Sequence, residues 1–206
     1  MIRTIVSKIK YEKSLSFVLE QIIDVIANTI NSRDSYTSGH QKRTAELCCA
    51  IAEKLNLDND VIQGLDLAAS IHDLGKIGIP ADIIFKPDKL SLIEYMLVKS
   101  HVVIGYEIIK DIKFPWPIAK IILQHHEREN GSGYPNGITS DEILLEAKIL
   151  AVADSVEAMI SHRPYRPSLG KLKALEVIYE SRGIEYDSDV VDACIEVFND
   201  GFVFKN

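Results

Sequence analysis

The chain has 206 residues, of which 47% are hydrophobic and 26% charged, and this balance predicts one well-packed domain rather than a disordered segment. Its formal net charge of −7 argues against a general nucleic-acid or membrane-surface binder, because such proteins present a basic face. Residues 1–10 lack the apolar stretch of a signal peptide, and no apolar run approaches the roughly 18 residues of a membrane span, so we expect a cytoplasmic protein.

The first half of the chain shows helical periodicity. Apolar residues at three-and-four spacing in residues 11–30 predict an N-terminal amphipathic helix. Further helices are predicted at residues 40–55, behind an Asp58 cap as far as about Gly75, and from Ser91 onward, where Ser91 and Glu94 resemble a capping box. The β-branched run at residues 102–109 lies inside this last segment, and we interpret it as helix.

The second half is also predicted to be helical, with two loops. Helices are expected at residues 117–126, 140–160, 169–182 and 187–198, and the glycine, proline and asparagine content of residues 128–138 predicts an ordered loop. Residues 161–168 form a second predicted loop. The expected fold is all-α, with an N-terminal helix over residues 1–30 and one domain over residues 31–206. The cysteines have no CxxC spacing and are interpreted as reduced core thiols: Cys48, Cys49 and Cys194.

The pair His72–Asp73 is the first candidate for metal chemistry. It follows a largely apolar stretch, and a buried carboxylate stays charged only beside a cation, a metal or several donors. An imidazole on one ion, with the carboxylate bridging to a second, would satisfy both groups. An isolated pair of this kind is more often a helix-end histidine beside a solvated aspartate, so it indicates a metal site only together with other ligands.

Asp154 and the tandem His125–His126 are the other strong candidates. Asp154 lies in the apolar run ILAVADSVEAM, where a carboxylate is either a buried ligand or part of a solvated face shared with Glu157. The tandem histidines could also be a polar helix end, because cationic imidazole is favoured near the last carbonyls. Taken singly, His40 and His101 are ordinary histidines. Imidazole with carboxylate suits iron, manganese or zinc rather than calcium or a thiolate cluster.

Together these motifs closely resemble the HD-GYP family, a branch of the HD phosphohydrolases. The resemblance rests on HDLGK at residues 72–76, His101, HHERENGSGYP at residues 125–135 and Asp154, in this order, and extends over residues 30–198. It implies an all-helical HD-domain bundle around a bi- or trinuclear metal centre. The implied activity is hydrolysis of cyclic di-GMP to linear pGpG, and onward to GMP, by a hydroxide that bridges the metals.

The resemblance also implies roles for particular residues. The implied metal ligands are His40, His72, Asp73, His101, His125, His126 and Asp154, holding two divalent ions, iron or manganese. One ion would take the first three with Asp154, and the other would take Asp73 with the remaining histidines. Asp73 would bridge the two ions, and Lys76 would bind phosphate, so these two residues are the expected catalytic groups. Substrate contacts are implied for Lys76, Tyr134, Arg163 and Arg166. His162 matches no ligand position and is interpreted as exposed.

Two positions depart from the family pattern. Members with three metals carry a glutamate one turn before the first histidine, where this chain has Tyr36, so two metals are favoured. The family usually has an aspartate where this chain has Asn130, which keeps the turn-forming chemistry but loses a charge.

Two alternative functions and two partners follow from the same resemblance. The HD core reads phosphate rather than base, so cyclic GMP-AMP or another nucleotide could be the substrate. An inactive signalling or binding module of the same fold is the other alternative. The N-terminal helix is a candidate connector or homodimer contact, and the Gly-Tyr-Pro loop is a candidate docking site for a diguanylate cyclase.

Overall fold

Every regular element in the described part of the chain is helical. The computed structural model describes residues 18, 21, 22, 25, 26, 29, 39–162 and 167–204. Its α-helices are α1 His40–Lys54, α2 Asn59–Ile71, α3 Ala81–Ile84, α4 Leu92–Lys99, α5 His101–Ile109, α6 Ile118–Gln124, α7 Leu145–Ile160, α8 Lys171–Glu180 and α9 Ser188–Asn199. Two short 3₁₀ helices span Leu74–Gly78 and Ser140–Glu142. The predicted all-α class is confirmed.

The hydrophobic core lies between α1, α2, α6, α7, α8 and α9. Each of these helices contributes an apolar face, and the largest fully buried aliphatic side chains are Leu47, Ile51, Leu65, Ile118, Ile121, Ile122, Ile149, Leu150 and Ile178. Cys48 and Cys194 are buried free thiols, as the sequence predicted, whereas Cys49 is a free thiol that is only partly buried. No helix among the described residues is long and apolar enough to cross a membrane.

The predicted N-terminal helix falls largely outside the described residues. The few positions described between residues 18 and 29 are helical, and Ile26 packs against the core. The boundary at residue 30 and the homodimer contact through this helix stay predictions.

The prediction that α2 continues to Gly75 is wrong. The helix ends at Ile71, and the chain tightens after Asp73 into a 3₁₀ helix. Gly75 packs directly against the backbone of α5, where an added Cβ would collide with the carbonyl oxygen of His101. The change of helix type therefore brings His72 and Asp73 against His101.

The segment after Ser91 forms two helices rather than one. The capping box is confirmed, because the Ser91 N–H donates to Glu94 Oε2 at 2.7 Å and the Glu94 N–H donates to Ser91 Oγ at 3.3 Å. The helix is interrupted at Ser100, whose hydroxyl donates to the Leu97 carbonyl at 2.6 Å. A new helix then starts at His101, and residues 102–109 are helical as predicted.

The predicted helix at residues 140–160 also divides. The buried Gln124 side chain donates to the Glu142 carbonyl at 3.0 Å and accepts from the Leu144 N–H at 2.9 Å. This clamp holds the chain extended at Leu144, so only Leu145–Ile160 is α-helical. Trp116 acts as a packing anchor, with its ring against Gly64 and its N–H 3.1 Å from Asp60 Oδ2.

Candidate metal centre

Five segments bring the seven predicted ligands into one cluster. His40 and His101 are the first residues of α1 and α5, and Asp154 lies within α7. His72 and Asp73 lie where α2 gives way to the 3₁₀ helix, and the tandem histidines directly follow α6. The imidazoles form a continuous chain, with ring centroids 5.5 Å apart for His40–His72, 5.2 Å for His72–His125 and 5.2 Å for His101–His126.

The cluster divides into two groups separated by one carboxylate. Candidate ligand atoms lie within 4.8 Å of one another in two sets, His40, His72, Asp73 and His101, His125, His126. Asp154 joins the first set, because its Oδ1 lies 3.1 Å from His40 Nε2 and 3.8 Å from His72 Nε2. The two oxygens of Asp73 diverge: Oδ2 lies 3.5 Å from His72 Nε2, and Oδ1 lies 3.5 Å from His101 Nε2.

Three of these imidazoles are held in the same way. Nδ1 donates to the backbone carbonyl three residues earlier: His72 to Ala69 at 2.7 Å, His101 to Val98 at 2.8 Å and His125 to Ile122 at 2.7 Å. A carbonyl can only accept, so Nδ1 carries the proton and the lone pair of Nε2 faces the cluster.

The chemistry of this donor set fits divalent cations. Among the described residues, Nε2 of His101 and Nε2 of His125 are buried without a hydrogen-bond partner. A buried unpaired acceptor is costly, and cations beside Nε2 would satisfy both atoms.

The surroundings lower the pKa values of the imidazoles of His101, His125 and His126, which favours their neutral form. They also lower the pKa values of Asp73 and Asp154, which favours the charged carboxylates. Burial lowers the pKa of His125 to about 3, and the neighbouring His72 and His101 add to the effect. Burial alone would raise the pKa of Asp73, but the positive charge of Lys76 holds it well below its usual range. Neutral imidazole and ionised carboxylate are the forms that bind metals.

His40 is the exception, because carboxylates flank both of its ring nitrogens. Nε2 faces Asp154 and Nδ1 is hydrogen-bonded to Glu157. Burial lowers the pKa of His40, but the hydrogen bonds to Asp154 and Glu157 outweigh that effect and raise it to about 9.

Glu157 is a site residue that the sequence reading missed. The alternative of a solvated face shared with Asp154 is wrong for Glu157, whose side chain is 0% exposed. It also pairs with Arg43, at 2.6 Å to Nη2. The pairs His40/Arg43 and Asp154/Glu157, each spaced three residues apart, could have indicated two helices facing each other through complementary groups.

The predicted substrate contacts are only partly within the described residues. Lys76 Nζ donates to Asp73 Oδ2 at 2.7 Å, and the Tyr134 ring stacks on His126 with centroids 4.8 Å apart. Lys99, which the sequence reading missed, places Nζ 4.7 Å from the centre of the Tyr134 ring. Arg163, Arg166 and Tyr36 lie outside the described residues. His162 is exposed, as predicted.

A buried carboxylate organises the loop that carries Tyr134. Glu127 accepts from the Asn136 N–H at 2.7 Å and from the Ile138 N–H at 3.2 Å. The Tyr134 N–H donates to the His126 carbonyl at 3.1 Å. Gly133 passes so close to the backbone of His126 and Glu127 that a Cβ would collide there. The loop is thus bound directly to a proposed ligand.

Asn130 retains the turn chemistry expected of the aspartate it replaces. Its Oδ1 accepts from the Ser132 N–H at 3.0 Å, which closes the turn two residues later.

A family model for the HD domain matches residues 24–190. The chain belongs to the HD domain family. This HD domain is 40% identical over 172 residues to the cyclic di-GMP phosphodiesterase response regulator RpfG of Xanthomonas campestris, covering 82% of this chain and 46% of RpfG. It is 30% identical over 181 residues to the 3′3′-cGAMP-specific phosphodiesterase 1 of Vibrio cholerae, covering 86% of this chain and 42% of that protein.

A solved structure shares the fold of this HD domain. An HDG"Y"P protein of Bdellovibrio bacteriovorus, Bd1817, superposes with a TM-score of 0.66 at 21% identity, covering 87% of this chain and 63% of that one. The chain spans less than half the length of each of these two curated relatives. The resemblance predicted from the motifs is confirmed.

Proposed function

We propose that this HD domain hydrolyses a phosphodiester bond of cyclic di-GMP, giving linear pGpG and then GMP. The observation that carries the proposal is the position of Asp73, whose two oxygens face the two histidine groups. Such a carboxylate suits a bridge between two cations, and the similarity to RpfG supplies the substrate class.

The two cations would be iron or manganese, which imidazole and carboxylate ligands suit. His40, His72, Asp154 and one oxygen of Asp73 would hold the first, and the three remaining histidines with the other oxygen would hold the second. When bound, such a pair supplies activation of water and neutralises charge on the phosphate.

The side chains around the cluster would receive and orient the substrate. The Lys76 ammonium donates a hydrogen bond to Asp73, and from there it would reach a phosphate oxygen bound beside that carboxylate. Burial raises the pKa of Tyr134 well above its usual range, so the phenol stays protonated and can donate a hydrogen bond. Lys99, beside Tyr134, adds positive charge at the same edge. Arg163 and Arg166 remain the predicted partners of the phosphates.

A cyclic GMP-AMP substrate is the second candidate, because the chain is also similar to a relative with that specificity. The residues described around the cluster are suited to binding phosphate, and both substrates contain the same phosphodiester linkage. The homodimer contact and the diguanylate cyclase partner stay predictions of the sequence.

The decisive test is turnover by protein loaded anaerobically with Fe(II) or Mn(II). Cyclic di-GMP and cyclic GMP-AMP are offered separately, products are identified by mass spectrometry, and bound metal is counted by elemental analysis. We expect about two metals per chain and faster consumption of cyclic di-GMP. Two bound metals without any hydrolysis would indicate the inactive binding module, and faster turnover of cyclic GMP-AMP would reassign the substrate.

A further inference from the structure

The carboxylate of Glu157 contacts both His40, a proposed metal ligand, and Ser161, which lies two residues before Arg163. We propose that Glu157 is a positioning residue that fixes the imidazole of His40 and couples the first metal group to the segment that carries Arg163 and Arg166. The inference rests on the proposed function, since it assigns the supporting structure of that site.

Both oxygens of Glu157 are committed to specific partners. Oε2 is bonded to His40 Nδ1, while Oε1 accepts from Arg43 Nε at 2.7 Å and from Ser161 Oγ at 2.5 Å. The side chain is fully buried. Four donors from three residues satisfy a carboxylate that would otherwise be costly to bury, and they also fix its orientation.

Glu157 is the acceptor for Nδ1 of His40, whereas His72, His101 and His125 use a backbone carbonyl as that acceptor. Each of those three donates Nδ1 to a carbonyl in the preceding turn of helix. His40 is the first residue of α1, and Gly39 directly before it has φ 80°, so right-handed helical geometry is broken at that residue. Glu157 on α7 supplies to His40 the acceptor that a carbonyl supplies to the other three.

A carboxylate acceptor also changes the ligand it holds. It stabilises the Nδ1–H form of the imidazole and increases the basicity of Nε2, which strengthens a bond to a cation. Loss of an outer partner of this kind typically costs about 10- to 100-fold in metal affinity or activity. The first metal group should therefore depend on Glu157, and the second should not.

Ser161 directly follows the last residue of α7 and is the first residue of the predicted loop at residues 161–168. Its hydroxyl donates to Glu157 and also lies 3.3 Å from Arg43 Nη2. The carboxylate that orients His40 therefore fixes the point where the chain leaves α7 toward Arg163 and Arg166. Loosening that point should weaken substrate binding without removing a metal.

Three variants separate these effects. Glu157→Gln keeps the shape but loses the charge, Ser161→Ala cuts only the link to the segment, and Glu146→Gln changes a partly exposed carboxylate on the same helix as a control. Manganese affinity is measured by calorimetry on the whole chain without substrate, and KM and kcat are measured on metal-saturated protein.

We expect Glu157→Gln to weaken one of two manganese sites by about 10- to 100-fold and to leave the other unchanged. Ser161→Ala should bind both ions normally, keep kcat and raise KM severalfold, and Glu146→Gln should match wild type. Two unchanged manganese affinities in Glu157→Gln would overturn the positioning role, and an unchanged KM in Ser161→Ala would overturn the coupling.

A folding defect can be separated from a positioning defect. If Glu157→Gln fails to fold because the Arg43 guanidinium loses this buried carboxylate, the double variant Arg43→Gln/Glu157→Gln removes that positive charge as well. The folded double variant should show the same selective loss of one manganese site, and normal affinity at both sites would overturn the proposal. Wild-type protein that binds no manganese would instead refute the proposed function itself.

Discussion

The direction of each imidazole is decided by a single hydrogen bond on its outer nitrogen. His72, His101 and His125 each use a backbone carbonyl for it, whereas His40 uses Glu157. Nε2 of each of these rings therefore points inward before any cation binds. Such preorganisation reduces the ordering cost of metal binding.

Asp73→Asn should abolish most hydrolysis, because Asp73 is the one carboxylate in the described residues that faces both groups. The amide keeps the shape but loses the negative charge that two cations would share. We expect activity to fall by more than the roughly 100-fold that is typical when a group hydrogen-bonded to a metal ligand is removed. We also expect fewer than two bound metals per chain. Activity assays and elemental analysis check this, with the exposed Asp88→Asn as control. Wild-type turnover in Asp73→Asn would remove Asp73 from the mechanism.

At the scale of secondary-structure elements, two short segments position the site. The 3₁₀ helix at Leu74–Gly78 presses on α5, and the loop at residues 128–138 holds Tyr134 against His126. Neither element could be stable alone. Each is fixed by close backbone contact with a neighbouring segment.

Gly75→Ala should destabilise the protein far more than Gly78→Ala in the same 3₁₀ helix. The new methyl group at residue 75 meets the rigid backbone of His101, whereas at residue 78 it meets the flexible end of the Ile104 side chain at 3.0 Å. Overpacking of this kind costs about 1–3 kcal/mol or more. Denaturant unfolding of both variants gives the difference, and equal stabilities would show that the contact yields easily.

Glu127→Leu should disorder the Gly-Tyr-Pro loop while sparing the metals. Two backbone N–H groups lose their acceptor, and each unpaired group costs about 1–3 kcal/mol. We expect a raised KM for cyclic di-GMP with unchanged metal content, and a smaller effect in Glu127→Gln, which keeps one acceptor oxygen. The exposed Glu142→Gln is the control. An unchanged KM in Glu127→Leu would show that the loop does not contact substrate.

At the scale of the whole molecule, the metal centre joins helices that are distant in sequence. Its proposed ligands come from α1, from the junction after α2, from α5, from the end of α6 and from α7. Cations held there would connect five segments of one core. Metal binding and the stability of the entire fold should therefore be linked.

Chelation should lower the melting temperature of the whole domain and abolish hydrolysis. Anything that binds the native state alone stabilises it, by about 2.7 kcal/mol when its concentration is 100 times its dissociation constant. Scanning calorimetry of protein treated with a chelator, before and after Mn(II) is restored, measures the shift. Magnesium, which prefers oxygen ligands, serves as the control ion. Identical melting with and without Mn(II) would contradict a buried metal centre.

The sequence by itself determined the helical class and the capping box at Ser91. These features depend on residues close along the chain, where local hydrogen bonding and apolar spacing act. The motifs also indicated which histidines and aspartates to examine. Their chemistry is written in residue type and order.

Only the tertiary structure decided where helices stop and which carboxylates are buried. α2 ends early because Gly75 meets α5, and α7 starts late because Gln124 clamps the chain before it. In the sequence, Glu157 looks like a solvated neighbour of Asp154. In the folded protein it is buried, because α1 packs on α7 and places His40 and Arg43 against it. Contacts between segments far apart in sequence override local propensity, because burial and hydrogen-bond satisfaction outweigh the few tenths of a kcal/mol that separate local alternatives.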